Sequence, residues 1–250
     1  MSFPPNLSRA MPRRESLLLL ALVGLALGTA CEPKGQRPQP VQSVVLLHGM
    51  GRTRASMAAL ASRFERAGYV AHNYAYSQRT SSLDELSDEL HQFINERVST
   101  PRYHLVGHSL GNIIIRNGFK KEYRQGLIRI VMIAPPNRPA ELAQFFEGNI
   151  VYRWITGDSG QKLADPAFYE SLPVPSVAFG IIAGSKGHRI GFEEPNDGVI
   201  KVDTTKLSGA SDWIALDHTH TFIMIAPDTF EYCRRFLETG SFGEDVGVTK

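Results

Sequence analysis

The stretch YHLVGHSLGNIIIR, Tyr103 to Arg116, carries the strongest chemical signal in the chain. A strand-like run ends in Gly107-His108-Ser109-Leu110-Gly111, and an Ile-rich helical run follows. A Gly-x-Ser-x-Gly turn from strand to helix is so tight that it lifts the serine oxygen clear of the sheet, the layout of a nucleophile elbow. Glycines are expected because strand and helix crowd the turn, and Ser109 is expected in a strained backbone conformation. The helix starting there points its N-terminal dipole at the serine and favours negative charge. The implied chemistry is acyl transfer.

Such chemistry needs donors for an oxyanion. VVLLHGMGRT ends a strand-like run in His48-Gly49, which lets the backbone turn so that the next amide faces the serine. The backbone N–H groups of Met50 and Leu110 are the expected oxyanion hole, each worth about 3 kcal/mol of barrier. His48 reads as a structural residue beside that hole, because the base should follow the nucleophile along the chain. A rival serine, Ser159 in TGDSGQ, resembles the serine loop of chymotrypsin-type proteases only superficially. No Gly-Pro follows it, no strand leads into it, and the pattern is not all-β, so it reads as a turn.

The elements that must position these groups alternate. Strands are expected at 43–48, 69–74, 103–108, 128–134, 176–183 and 212–217. Helical patterns lie between them in ASMAALASRFERAG and LDELSDELHQFINERV, and late in the chain in PDTFEYCRRFLE. Ser82 and Glu85 stand at capping-box spacing. Near-continuous apolar strands separated by helices predict an α/β fold, its mostly parallel central sheet covered by helices on both faces. Residues 135–175 interrupt the rhythm, and the apolar density of ELAQFF and IVYRWI suits a small cap over a pocket, or another core-packing crossover.

At 250 residues, 42% hydrophobic and 21% charged, the chain suits one globular domain. A net charge of +2 without basic blocks in the body argues against nucleic acid. No His/Cys cluster has metal-ligand spacing. The N-terminus reads as a secretory signal peptide over residues 1–30, with Met11 as an alternative start. Arg13 and Arg14 precede an apolar run from Leu17 to Leu27, then Gly28, Thr29 and Ala30. Cys31 falls where a bacterial lipoprotein is acylated, although Gly28 stands where such signals usually carry Leu. Cleavage after Ala30 with free export suits the residues equally, and an uncleaved anchor is a third reading. Residues 31–42 form a Pro-rich linker, 43–240 the domain, and 241–250 a tail. A disulfide from Cys31 to Cys233, the other cysteine, is unpersuasive.

With LLHGMGRT, GHSLGN, APPNRPAELA, EPNDGVI and HTHTFIM in place, nearly all of 43–239 resembles the α/β-hydrolase superfamily, specifically compact bacterial lipase/esterase-like members. In that family an Asn-Asp-Gly carries the triad acid and a His-x-Phe segment carries the base, which implies Asp197 and His220. The order Ser109, Asp197, His220 is the chain order of that fold. His218, two residues from His220, is the competitor for the base. The resemblance favours His220 because His220-Thr221-Phe222 fits the family pattern, with Phe222 expected to pack inward and His218 to stay outside. The chain departs from the family's PPNxGS at Asn137-Arg138-Pro139-Ala140. The resulting expectation is an exported serine hydrolase for a small-molecule or lipid ester. It would need no cofactor and touch membrane only through lipid at Cys31.

Overall fold

The computed structural model describes residues 41–77, 82–138, 166–187 and 194–243. The expected leader, Cys31, most of the linker and cap, Ser159 and most of the tail lie outside them. Six strands form one sheet: β1 (Ser43–Leu47), β2 (Val70–Asn73), β3 (Tyr103–His108), β4 (Leu127–Ile133), β5 (Ala178–Gly184) and β6 (Asp212–Leu216). Their order is β2-β1-β3-β4-β5-β6, and every pairing is parallel. All six carboxyl ends therefore lie along one edge.

The near-continuous apolar strands divide between two cores at period two, as side chains alternate across a pleated strand. Val45, Leu47, Leu105, Ile130, Met132 and Ile181 pack on one face. Their neighbours Val44, Leu46, Val106, Val131, Ile133 and Ile182 pack on the other. Helices α2 (Leu83–Arg97) and α3 (Leu110–Gly118) cover the first core, through Leu86, Leu90, Ile94, Ile113 and Ile114. Helices α1 (Ala58–Arg66) and α5 (Pro227–Thr239) cover the second, through Leu60, Phe64, Phe230 and Phe236. A short helix α4 (Pro166–Ser171) precedes β5. Each fully buried large apolar side chain contributes roughly 1.5–3 kcal/mol. The capping box stands as expected: Ser82 accepts from the Glu85 amide at 3.2 Å and its own amide donates to Glu85 at 2.6 Å. Among the described residues no helix is long and apolar enough to cross a membrane.

Every residue of α3 is buried, including Arg116. Its guanidinium donates to the carbonyls of Pro173 (3.0 Å), Leu172 (2.8 Å) and Tyr169 (3.3 Å) and to Asn137 Oδ1 (3.0 Å). Asn137 passes the link to the Thr205 carbonyl at 2.7 Å. The segments on either side of 139–165 are thus tied to the helix that starts beside Ser109. Burial pulls the Arg116 pKa down to about 10, yet leaves it a cation at neutral pH. Arg116→Met strands several buried carbonyls and is expected to cost about 3 kcal/mol, lowering the thermal midpoint by roughly 10 °C. Arg116→Lys should recover only part of this, since an ammonium does not fork.

His104 on β3 is fully buried, its Nε2 2.6 Å from Gln42 Oε1. Burial, then Arg129 and Arg102, pull its pKa from 6.5 down to about 4. In that interval the unfolded chain binds more protons, so stability is full above the unfolded value and falls as pH drops toward the folded one. Denaturant titrations at neutral pH and at about pH 4 should differ by about 3 kcal/mol from His104, a difference His104→Gln should shrink.

Candidate active site

The expected elbow lies where β3 meets α3. Ser109 is the residue before the helix, with φ of 51° and ψ of −117°, a left-handed conformation that disfavours a side chain. Its N–H donates to the Ile133 carbonyl of β4 at 3.0 Å, and its carbonyl accepts from the Asn112 amide at 3.0 Å. Both glycines are needed for space. A Cβ at Gly111 would lie 2.7 Å from the Leu47 carbonyl oxygen on β1, and one at Gly107 would collide with Asn112. The Leu110 amide opens the helix directly after the serine. The Gly49-Met50 turn comes from β1 to the same place, for a Cβ at Gly49 would lie 3.2 Å from Ser109 Cβ. His48 is buried as part of that turn: its ring donates from Nδ1 to the Gly49 carbonyl at 2.9 Å and stacks on Tyr76 at 4.1 Å. The Tyr76 hydroxyl donates to the His48 carbonyl. Burial lowers the His48 pKa.

Asp197 and His220 meet at the same sheet edge. Asp197 lies in a turn after β5 whose next residue, Gly198, has a φ of 93°. Gly184 at the end of β5 lets that turn approach, as a Cβ there would lie 2.8 Å from Asp197 Cβ. Asp197 is buried, and both of its carboxylate oxygens are engaged. Oδ1 accepts from the Val199 and Ile200 amides at 2.9 and 2.7 Å, and Oδ2 accepts from His220 Nδ1 at 2.7 Å. The His220 amide also donates to the Asp197 carbonyl at 2.8 Å. Because Nδ1 carries the proton toward the carboxylate, Nε2 is the ring atom left to act as a base. His218 goes elsewhere, with Nε2 on Asp228 at the start of α5 at 2.8 Å.

The two histidines diverge for a reason visible in the turn after β6. The Phe222 and Ile223 amides donate to the Thr219 carbonyl, so the chain winds helically there. His220, Ile223 and Met224, three and four apart, share the inward face, while Phe222 and Ile225 face out. Phe222 was expected inside and is instead 59% exposed; Ile223 and Met224 anchor the loop. His108 also belongs to the site: its Nε2 donates to the His220 carbonyl at 3.0 Å, with the two rings 4.9 Å apart. Its place between the two elbow residues Gly107 and Ser109 is the signal for it in the sequence. Asn137, read as a departure from a family pattern, is a buried hydrogen-bonding hub with Arg116. Among the described residues no group of His, Cys, Asp and Glu is arranged to hold a metal.

Comparison with known proteins agrees with this architecture. A mature lipase of Bacillus licheniformis superposes with a TM-score of 0.59 at 16% identity, covering 84% of this chain and 96% of its own. A lipase-esterase related protein of Clostridium acetobutylicum gives 0.55 at 13% identity, over 79% and 95% of the two chains. An extracellular α/β-hydrolase of a Paenibacillus species gives 0.51 at 14%, over 80% and 98%. At these identities the likeness is one of fold. No curated protein matches by sequence. The profile of the alpha/beta hydrolase family, however, matches residues 44–224, and the chain belongs to that family.

Proposed function

We propose that this protein is a serine hydrolase that cleaves carboxylic esters through an acyl-enzyme on Ser109. The observation that carries the reading is the 2.7 Å Asp197–His220 hydrogen bond, buried at the sheet edge where Ser109 stands in its left-handed turn. The hydroxyl of Ser109, a half-buried residue, is the nucleophile. It passes its proton to His220 Nε2 as its oxygen attacks the ester carbonyl. Asp197 holds the imidazole in the required tautomer and stabilises the imidazolium. The Met50 and Leu110 amides receive the developing oxyanion, aided by the N-terminus of α3. Collapse of the tetrahedral species breaks the bond to the alcohol, which leaves with the His220 proton. Water then repeats the sequence and frees the acid.

Lipase- and esterase-named neighbours in fold support an ester substrate over other acyl compounds. Transfer to another acceptor, or attack on a thioester or amide, would use the same residues and shows itself in the product. A non-catalytic exported binding protein on this fold is the outcome if the serine proves inert. Fluorophosphonate labelling with a graded ester series decides among these. Ser109→Ala should keep the native melting profile and lose ester turnover by roughly 10⁴-fold. His220→Ala should fall about as far, because the groups act as a unit. Asp197→Asn should fall between, and His218→Ala should keep most activity. Substantial turnover by Ser109→Ala protein would overturn the reading.

Export is part of the proposal, supported by the basic, apolar and small-residue order of residues 11–31. Mass spectrometry of the mature N-terminus checks it. A chain beginning at Cys31 is expected, with a diacylglyceryl mass on the cysteine for a lipoprotein and none for free export. An intact Met1 or Met11 on cytoplasmic protein would refute it.

A further inference from the structure

His108 is fully buried between the two turns that flank Ser109. On one side its Nε2 lies 3.0 Å from the carbonyl oxygen of His220. A carbonyl only accepts, so this nitrogen must carry the proton. On the other side the ring lies close to Gly49, where a Cβ would come within 2.7 Å of Nδ1. Among the described residues Nδ1 has no hydrogen-bond partner. Nothing there could accept from a second proton, and the charged or titratable groups facing the ring are His220, Arg52 and His48. Burial first, then His220, hold the His108 pKa well below the ordinary histidine value.

The placement has a consequence for the base. His220 is held to Asp197 by its ring and by its amide, both on the acid side. The remaining polar backbone group of His220, its carbonyl, is held from the elbow itself, by the residue next to the nucleophile. We propose that His108 is a positioning residue for the general base: as a neutral Nε2–H donor to the His220 carbonyl, it fixes the base loop relative to Ser109. The inference rests on the assignment of Ser109 and His220 as nucleophile and base. A neutral donor also suits the reaction, since an imidazolium forming on His220 would be opposed by a second cation 4.9 Å away. A tether made by the elbow moves with the elbow, so nucleophile and base keep register when either loop breathes.

Two variants and one spectrum test it. His108→Leu removes the donor but keeps apolar volume, whereas in His108→Gln the amide nitrogen can still reach the carbonyl. With the melting profile preserved, His108→Leu should lower kcat for ester hydrolysis and the rate of fluorophosphonate labelling by on the order of 10²-fold, with KM within about threefold of the wild-type value, as expected of a misplaced base. His108→Gln should recover most of the loss. In the nitrogen-labelled wild-type protein, His108 should report the neutral Nε2–H tautomer from about pH 8 to about pH 5, and the downfield His220 Nδ1 proton should broaden in His108→Leu. Full activity in His108→Leu, equal losses in both variants, or a charged or Nδ1–H His108 would overturn the proposal. If His108→Leu fails to fold, the Gln variant and the tautomer still decide. A wild-type protein that neither labels nor hydrolyses esters would sink the functional assignment instead, and the spectrum would still report on the tether.

Discussion

The backbone of Ser109 has to be held at a φ of 51° against its own preference, which costs of order 1–3 kcal/mol. Two groups hold it there. The Ile133 carbonyl takes its N–H, and the Asn112 amide takes its carbonyl. Asn112 also donates from its side chain to the same Ile133 oxygen at 3.0 Å, so β4 and the first turn of α3 grip the serine together. The grip is possible only because α3 lies so close to β1 that Gly111 has room for no side chain beside the Leu47 carbonyl. The packing of α3 between the sheet and α2, through Ile113, Ile114 and their partners, supplies the stabilisation that sustains the strain. The partly exposed Ser109 is thus the visible end of a buried helix.

The buried charged groups Asp197 and Arg116 are each held by several hydrogen bonds. Asp197 gives one oxygen to two amides and the other to His220. A buried carboxylate without such partners would be strongly unfavourable. Among the described residues Arg116 has no carboxylate partner and is instead bonded to carbonyl and amide oxygens from two segments, at 137 and 169–173. A planar guanidinium suits that use, because its donors point along fixed, divergent directions. It joins stretches of chain that apolar packing alone would leave free to slide.

What could be read from the sequence was mainly what is local. The elbow, the six strands, the Ser82 capping box and the late helix all announce themselves through neighbouring residues and simple periods. Boundaries moved by a residue or two, as at β5, expected from 176 and found from Ala178, because strand ends are set by pairing partners rather than by the strand itself. The long-range polar contacts were not legible. Nothing near Arg116 in sequence indicates that its partners lie at 137 and 169–173. His108 was read only as the residue preceding the nucleophile, since its acceptor is 112 positions away. Phe222 misled because its partner in the pattern, His220, begins a helical turn. In that turn a spacing of two places side chains on different sides, and the inward positions fell to Ile223 and Met224.

Gly49, in the turn after β1, and His108, at the end of β3, occupy one volume between them: the imidazole lies where a side chain at position 49 would have to go. The two positions are therefore not independent in mutational space. A larger residue at 49 is admissible only after the imidazole has given way, and with it the Nε2 donor that now holds the His220 carbonyl. Any path that enlarges the turn after β1 must therefore pass through a change in what holds the His220 carbonyl.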